Sequence, residues 1–111
     1  MATILKKSLN NPEETKTLEK IKVEIVTIDG LKIQRDTAAP GWQWSKHIRP
    51  LVGGDSCQVN HVLYVVSGKM HVKMNDGKEL EYGPGDVGVI PPGHDGWNVG
   101  NEPLVWLEFS R

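Results

Sequence analysis

Three side chains in two separate stretches of this 111-residue chain could ligate a metal ion together. Cys57 and His61 lie four residues apart, and alternate residues of a regular strand point to the same face, so both would project to one side. His94 follows the break at 91–93, which can direct its ring inward. One thiolate and two imidazoles suit zinc or another divalent first-row metal, such as iron, nickel or manganese. Three protein ligands with an open fourth position are typical of catalytic metal sites.

Two further residues are weaker candidates for the same site. Asp55 has the same strand parity as Cys57, but it is equally suited to capping the loop in which it lies. His47 could supply a fourth nitrogen. It has the opposite parity to Trp42 and Trp44 in the same segment, so all three could face inward only with a bulge.

Each candidate also has a purely structural interpretation. Cys57 could be a small buried hydrophobe, and His94 could cap a turn beside Asp95. His71 alternates with inward-facing apolar residues and is expected on the surface. Tryptophans offer apolar area and a single donor, so they are expected in the core or in a pocket wall. The predicted pocket walls are Trp42, Trp44, Leu63, Met70, Val72 and Trp97.

Short strands must position these groups. The 12 glycines and seven prolines separate short segments rich in valine, isoleucine and tryptophan. Turn residues spaced about 8–12 residues apart are typical of an all-β sandwich or barrel. The sequence Asn75-Asp76-Gly77 indicates a hairpin turn, and Asp29-Gly30 indicates another. Strands are predicted at 21–27, 42–45, 57–67, 69–74, 87–90 and 104–109, with a further strand from Leu31.

The length predicts one domain, with an extended N-terminal arm at 1–20 and the barrel at 21–111. The net charge of −1 and the scattered basic residues favour neither a nucleic-acid partner nor an anionic membrane. The longest apolar stretch, 62–66, is far too short to span a membrane. A cytoplasmic location is expected, because the N-terminus lacks the apolar run of a secretory signal and the single cysteine suits a reducing compartment.

One apparent cofactor motif is better explained as a turn. The segment 83–88 fits the Gly-x-Gly-x-x-Gly pattern of dinucleotide-binding folds. That pattern requires a following helix, whose N-terminus binds the pyrophosphate, and here a strand follows. No organic cofactor is therefore predicted.

A first block of the chain resembles the first of the paired motifs of the cupin superfamily. That motif places His-x-His, then a Glu, ahead of a glycine. When Gly68 is aligned with that glycine, His61 lies at the position of the Glu. Cys57 then lies at the position of the second His, and Asp55 at the position of the first His. The glycine matches, whereas the ligand slots hold substitutes.

A second block resembles the other cupin motif. Gly85, Pro91 and Gly93 match its glycine–proline pattern. The slot of its histidine falls on Gly96, and His94 lies two residues earlier. The chain is therefore similar to a subgroup of small single-domain cupins in which a Cys and a His replace the usual ligands.

The resemblance covers residues 42–109 and implies an all-β jelly roll, the double-stranded β-helix barrel, with His94 beside Cys57 and His61. Three functions fit it. The protein could be a metal-dependent enzyme acting on a small molecule, a metal-free barrel that binds or senses one, or a structural dimer module. Oxygenase, isomerase and decarboxylase chemistry all occur in cupins, and no catalytic residue can be assigned. A homodimer is expected, because exposed edge strands are often covered by a second copy.

Overall fold

The computed structural model describes residues 3–111, so the first two residues of the predicted arm lie outside the described residues. The described chain forms nine strands and two four-residue helices. In chain order they are β1 (Glu14–Leu18), β2 (Ile21–Ile28), β3 (Leu31–Ala38), α1 (Trp44–His47), α2 (Arg49–Val52), β4 (His61–Ser67), β5 (Met70–Met74), β6 (Glu79–Tyr82), β7 (Val87–Ile90), β8 (His94–Asn98) and β9 (Leu104–Ser110). Among residues 3–111, neither helix is long or apolar enough to cross a membrane.

The strands form two antiparallel sheets. The larger sheet has the order β1-β2-β3-β9-β4-β7, and the smaller has the order β6-β5-β8. The last strand, β9, lies between β3 and β4, so it joins the N-terminal strands to the rest of the barrel. The fold is a jelly-roll β-barrel, which confirms the fold class that the sequence predicts.

Side-chain alternation places the core between the two sheets. On β5, Met70 and Val72 are buried while His71 between them is only half-buried, as the alternation predicts. On β9, Leu104 and Trp106 are buried by the same rule. The buried cluster consists of Ile21, Ala38, Trp42, Trp44, Cys57, Leu63, Val65, Met70, Val72, Ile90, Leu104 and Trp106.

The turn predicted at Asp29-Gly30 is confirmed. These two residues join β2 to β3 directly, since Ile28 pairs with Leu31. Both have positive φ, 49° and 76°, as a two-residue hairpin turn of type I′ requires. Aspartate and glycine are among the residues that adopt this conformation most readily.

Two predicted strands differ in the structure. The segment 42–45 is not a strand, because α1 begins at Trp44 and the carboxylate of Asp95 accepts the backbone N–H of Ser45 at 3.1 Å. A negative charge at a helix start is favourable. The predicted strand 57–67 begins only at His61, because the residues at 58–60 are exposed and pair with no other strand of the described chain.

Part of the predicted N-terminal arm belongs to the larger sheet. Residues Glu14–Leu18 pair antiparallel with β2, from Glu14 opposite Ile25 to Leu18 opposite Ile21. All five side chains of β1 are exposed. This strand therefore extends the sheet without adding to the core, and the domain boundary at residue 20 stays a prediction.

Candidate metal centre

Cys57 and His94 are joined by their backbones. The N–H of Cys57 donates to the carbonyl of His94 at 2.7 Å, and the N–H of Gly93 donates to the carbonyl of Cys57 at 2.7 Å. This isolated bridge fixes Cys57 beside the first residue of β8. His61 enters from the first position of β4 in the opposite sheet. The two stretches that the sequence predicts to converge do so here.

The three side chains offer one ligand atom each, and these atoms lie within 4.8 Å of one another. Cys57 Sγ is 3.7 Å from His61 Nε2. The bond lengths of a tetrahedral zinc site would place a sulfur and a nitrogen about 3.6 Å apart. The rings of His61 and His94 meet edge to face, with centroids 5.0 Å apart. Both the donor types and their spacing fit a divalent metal.

A second set of contacts orients the two imidazoles. His94 Nδ1 lies 2.8 Å from the carbonyl oxygen of Pro91. A carbonyl only accepts, so Nδ1 carries a proton, and in the neutral ring Nε2 then has its lone pair available for a ligand bond. His61 Nδ1 lies 2.8 Å from Glu108 Oε1, and the indole N–H of Trp106 donates to the same oxygen at 2.8 Å. Such partners are the usual outer shell of metal-binding histidines.

The same contacts shift the ionisation of the thiol and the imidazole. Burial raises the pKa of Cys57, but the hydrogen bonds with His61 and His94 outweigh it and lower the pKa to about 6. Burial lowers the pKa of His61, but the thiolate of Cys57 and the carboxylate of Glu108 outweigh it and raise the pKa to about 9. Without a metal, these shifts favour a thiolate–imidazolium pair near neutral pH.

A cavity of about 350 Å³ lies in the barrel and includes all three side chains in its wall. Of the predicted wall residues, those that line it are Trp42, Trp44, Leu63, Met70 and Val72. The sixth, Trp97, does not. Gly96 takes the inward position on β8, so Trp97 faces outward and stacks on His71 with ring centroids 4.7 Å apart.

The two weaker candidates lie away from the cluster. His47 is on α1, where its Nδ1 accepts the backbone N–H of Gln43 at 3.1 Å and its Nε2 lies 3.6 Å from Glu19. These contacts turn the ring away from the cavity, so His47 is not a fourth ligand in this arrangement. Asp55 is exposed in its loop and is not part of the cluster.

Two carboxylates in the cavity wall were not predicted. Glu108 alternates along β9 with Leu104 and Trp106, so its side chain is expected on the same inward face. An acid at such a position could have been recognised from the sequence as a candidate site residue. Asp36 on β3 is only 4% exposed. Burial and the nearby charge of Glu108 raise its pKa to about 7, although the hydrogen bond from Gln34 opposes the shift. Polar residues surround Asp36 in the sequence, so no signal separated it from a surface position.

The model of the family described as "Cupin domain" matches residues 57–110 of the chain. No curated protein matches the chain in sequence. Among solved structures, the chain resembles the oxalate decarboxylase–formate complex of Lactobacillus farciminis, with 24% identity, a TM-score of 0.62 and coverage of 86% of this chain. The chain spans only 30% of that protein.

Two other solved structures match over most of both chains. A Rhizobium leguminosarum protein of unknown function has 17% identity and a TM-score of 0.67, covering 97% of this chain and 96% of its own. KdgF from Halomonas sp. has 21% identity and a TM-score of 0.63, covering 88% of this chain and 86% of its own. At these identities the likeness shows the fold. Together with the domain match, it shows that residues 57–110 are similar to the cupin domain and that the chain has the jelly-roll fold.

Proposed function

We propose that this protein binds a divalent metal ion, zinc in preference, through Cys57, His61 and His94, and binds a small molecule beside it in the barrel cavity. The observation that supports the proposal is the convergence of the three ligand atoms within 4.8 Å in the cavity wall. A bound metal would supply a Lewis acid for an oxygen or nitrogen of the ligand.

The chain's own residues prepare the site for both occupants. The carbonyl of Pro91 and the carboxylate of Glu108 hold the two imidazoles in orientation, so little ordering remains when a metal binds. The apolar wall, which includes Met70 and Val72, would bury the hydrocarbon part of a ligand and exclude water.

Metal analysis tests the proposal. Protein purified without a histidine tag and reconstituted with zinc is expected to hold one ion per chain. Cys57→Ala and His61→Ala should each lose it, whereas His71→Ala, which removes a histidine on the outer face, should keep it. Stoichiometric metal that survives both ligand substitutions would show that the site lies elsewhere.

A metal-free function of the same residues is the second candidate. The observation that favours it is the series Cys57 Sγ, His61 and Glu108, with contacts of 3.7 and 2.8 Å. A thiol, an imidazole and a carboxylate in this order form the arrangement that activates cysteine nucleophiles. A chain that takes up no zinc but whose thiol reacts with a small electrophile would favour this alternative.

We also propose a homodimer, formed through the outer face of β4 and β7. Val87 and Val89 on β7 are 71% and 68% exposed, and they pair with Tyr64 and Val62 on β4, which are each 40% exposed. Neighbouring exposed apolar pairs of this kind mark interaction surfaces. β7 also ends the larger sheet, so one side of its backbone has no strand partner among residues 3–111. A second copy related by a two-fold axis would cover both features.

The cellular setting follows from the same chemistry. A free thiol must stay reduced to ligate a metal, so we propose the cytoplasm as its location. The small net charge of −1 supports a small molecule and a second copy as partners, rather than a nucleic acid or a membrane.

A further inference from the structure

The carboxylate of Asp36 lies in the cavity wall, where His61 and Lys32 act on it only from beyond ion-pair distance. On β3 it faces Trp106 of β9, and Gln34, two residues earlier, faces Glu108. The amide of Gln34 donates to Asp36 Oδ1 at 2.8 Å. Among the described residues, the carboxylate takes part in no ion pair. An ionised carboxylate can accept about four hydrogen bonds, so Asp36 keeps unused acceptor capacity toward the cavity.

A buried donor in the same wall also has no partner. Trp42 is 6% exposed and lines the cavity. Its indole N–H finds no acceptor among residues 3–111. Buried polar groups are nearly always hydrogen-bonded, so this donor would gain from an acceptor on a cavity occupant, which a small shift of the closely packed indole would bring within reach.

The charges of the wall determine what kind of occupant fits. The charge of Glu108 is balanced by His61, at 2.8 Å, whereas no such ion pair balances Asp36. A carboxylate ligand would bring further negative charge toward Asp36 and could donate it no hydrogen bond. A neutral group with an N–H or O–H donor could satisfy Asp36, and an oxygen on the same group could accept from Trp42.

We propose that the cavity selects uncharged small molecules that present a hydrogen-bond donor and an acceptor together, such as carboxamides, over the matching carboxylates, with Asp36 as the specificity-determining residue. The inference rests on the proposed small-molecule function, but it does not require that the metal be bound. The apolar wall would receive the hydrocarbon body of such a ligand.

Benzamide and benzoate are matched probes for this selection. They have nearly the same shape, and only benzamide carries donors and no charge. Binding of each is measured by calorimetry at pH 8, above the pKa of about 7 that burial and Glu108 give Asp36. Wild-type protein and Asp36→Asn are compared, and Asp29→Asn, which changes an exposed turn residue, is the matched control.

The ratio of the two dissociation constants decides the question. In Asp36→Asn, the affinity for benzoate relative to that for benzamide should rise by about tenfold, which is the effect of one charge-assisted contact. Asp29→Asn should leave it unchanged. If Asp36→Asn does not fold, Trp42→Phe provides the second test: it should weaken both probes alike, because both carry an acceptor oxygen.

Three results would overturn the inference. They are an unchanged ratio in folded Asp36→Asn, wild-type affinity for both probes in Trp42→Phe, and no binding of either probe by the wild-type protein at millimolar concentration. Metal content is measured on the same samples. A shifted ratio in protein that takes up no metal would leave the inference standing while the metal proposal fails.

Discussion

His61 Nδ1 lies 2.8 Å from Glu108 Oε1, and this contact turns the opposite nitrogen of the ring toward the thiol of Cys57, 3.7 Å away. The carboxylate is itself held by the indole N–H of Trp106, which donates to the same oxygen at 2.8 Å. Glu108 and Trp106 lie on the inward face of β9, next to β4, where His61 begins the strand. The last strand of the chain therefore orients a ligand of the proposed metal site.

Glu108→Gln tests this orientation. The substitution keeps the size of the side chain and an acceptor for Trp106, but it removes the charge beside His61. We expect zinc affinity to fall by about 10–100-fold, the usual effect of losing an outer-shell partner. Competition with a chelator measures the change, and Glu102→Gln on the exposed surface is the control. Equal affinity in the two variants would mean that Glu108 does not position the ligand.

The thiol of Cys57 provides a pH-dependent prediction for the metal-free protein. Because the contacts with His61 and His94 overcome burial and hold its pKa at about 6, the reactive thiolate should persist at neutral pH and disappear as the pH falls through 6. Alkylation by iodoacetamide, followed by mass spectrometry, should therefore have its midpoint near pH 6. His61→Ala should move the midpoint upward, and saturating zinc should slow the reaction. A wild-type midpoint near 9 would contradict the thiolate–imidazolium pair.

Asp36 should make the metal-free protein less stable as the pH rises. Burial, together with the charge of Glu108, raises its pKa from 3.8 to about 7, so between these values the folded state keeps a proton that the unfolded state has lost. The contribution of Asp36 to the free energy of unfolding is therefore fully present at low pH. It declines between pH 3.8 and about 7, and it is constant above that range. Asp36→Asn removes the dependence.

Chemical denaturation at pH 4, 6 and 8 measures this effect. The free energy of unfolding of Asp36→Asn, relative to wild type, should rise from pH 4 to pH 8 by up to roughly 4 kcal/mol, the equivalent of the raised pKa. Contributions from groups that do not interact with Asp36 cancel in the difference. A difference that is the same at all three pH values would show that Asp36 is not perturbed.

Much of the barrel could be predicted from local patterns, but several side-chain positions could not. Alternation identified the inward faces of β5 and β9, and the sequence Asp29-Gly30 identified a turn. Helix α1 was missed because the charge that favours its start, Asp95, comes from a strand about 50 residues later. The outward position of Trp97 likewise depends on the register of β8, which its own sequence does not determine.

The structure brings the three candidate ligands together, and their metal binding stays a prediction, but the reason given for the placement of one pair was wrong. Cys57 and His61 are not alternate residues of one regular strand. The backbone bridge between Cys57 and His94 brings the thiol into place instead. Asp36 could not be found from sequence, since its burial depends on pairing with β9, about 70 residues away. Only long-range pairing separates such a residue from an ordinary surface acid.

The apolar face of β4 and β7 predicts the oligomeric state. Val87→Lys and Val89→Lys each put a charge on the exposed positions of the edge strand, and either should convert a dimer to a monomer. Light scattering at micromolar concentration measures the mass. Lys73→Glu on the other sheet is a control that should not change it. A wild-type monomer would refute the proposed dimer.

X-ray absorption at the zinc edge tests the metal site most directly. Protein reconstituted with one zinc per chain should show one sulfur at about 2.3 Å and two imidazole nitrogens at about 2.0–2.1 Å, the bond lengths of such ligands. The sulfur contribution should vanish in Cys57→Ser. A stoichiometric zinc ion surrounded only by nitrogen and oxygen in the wild-type protein would contradict the ligand set of Cys57, His61 and His94.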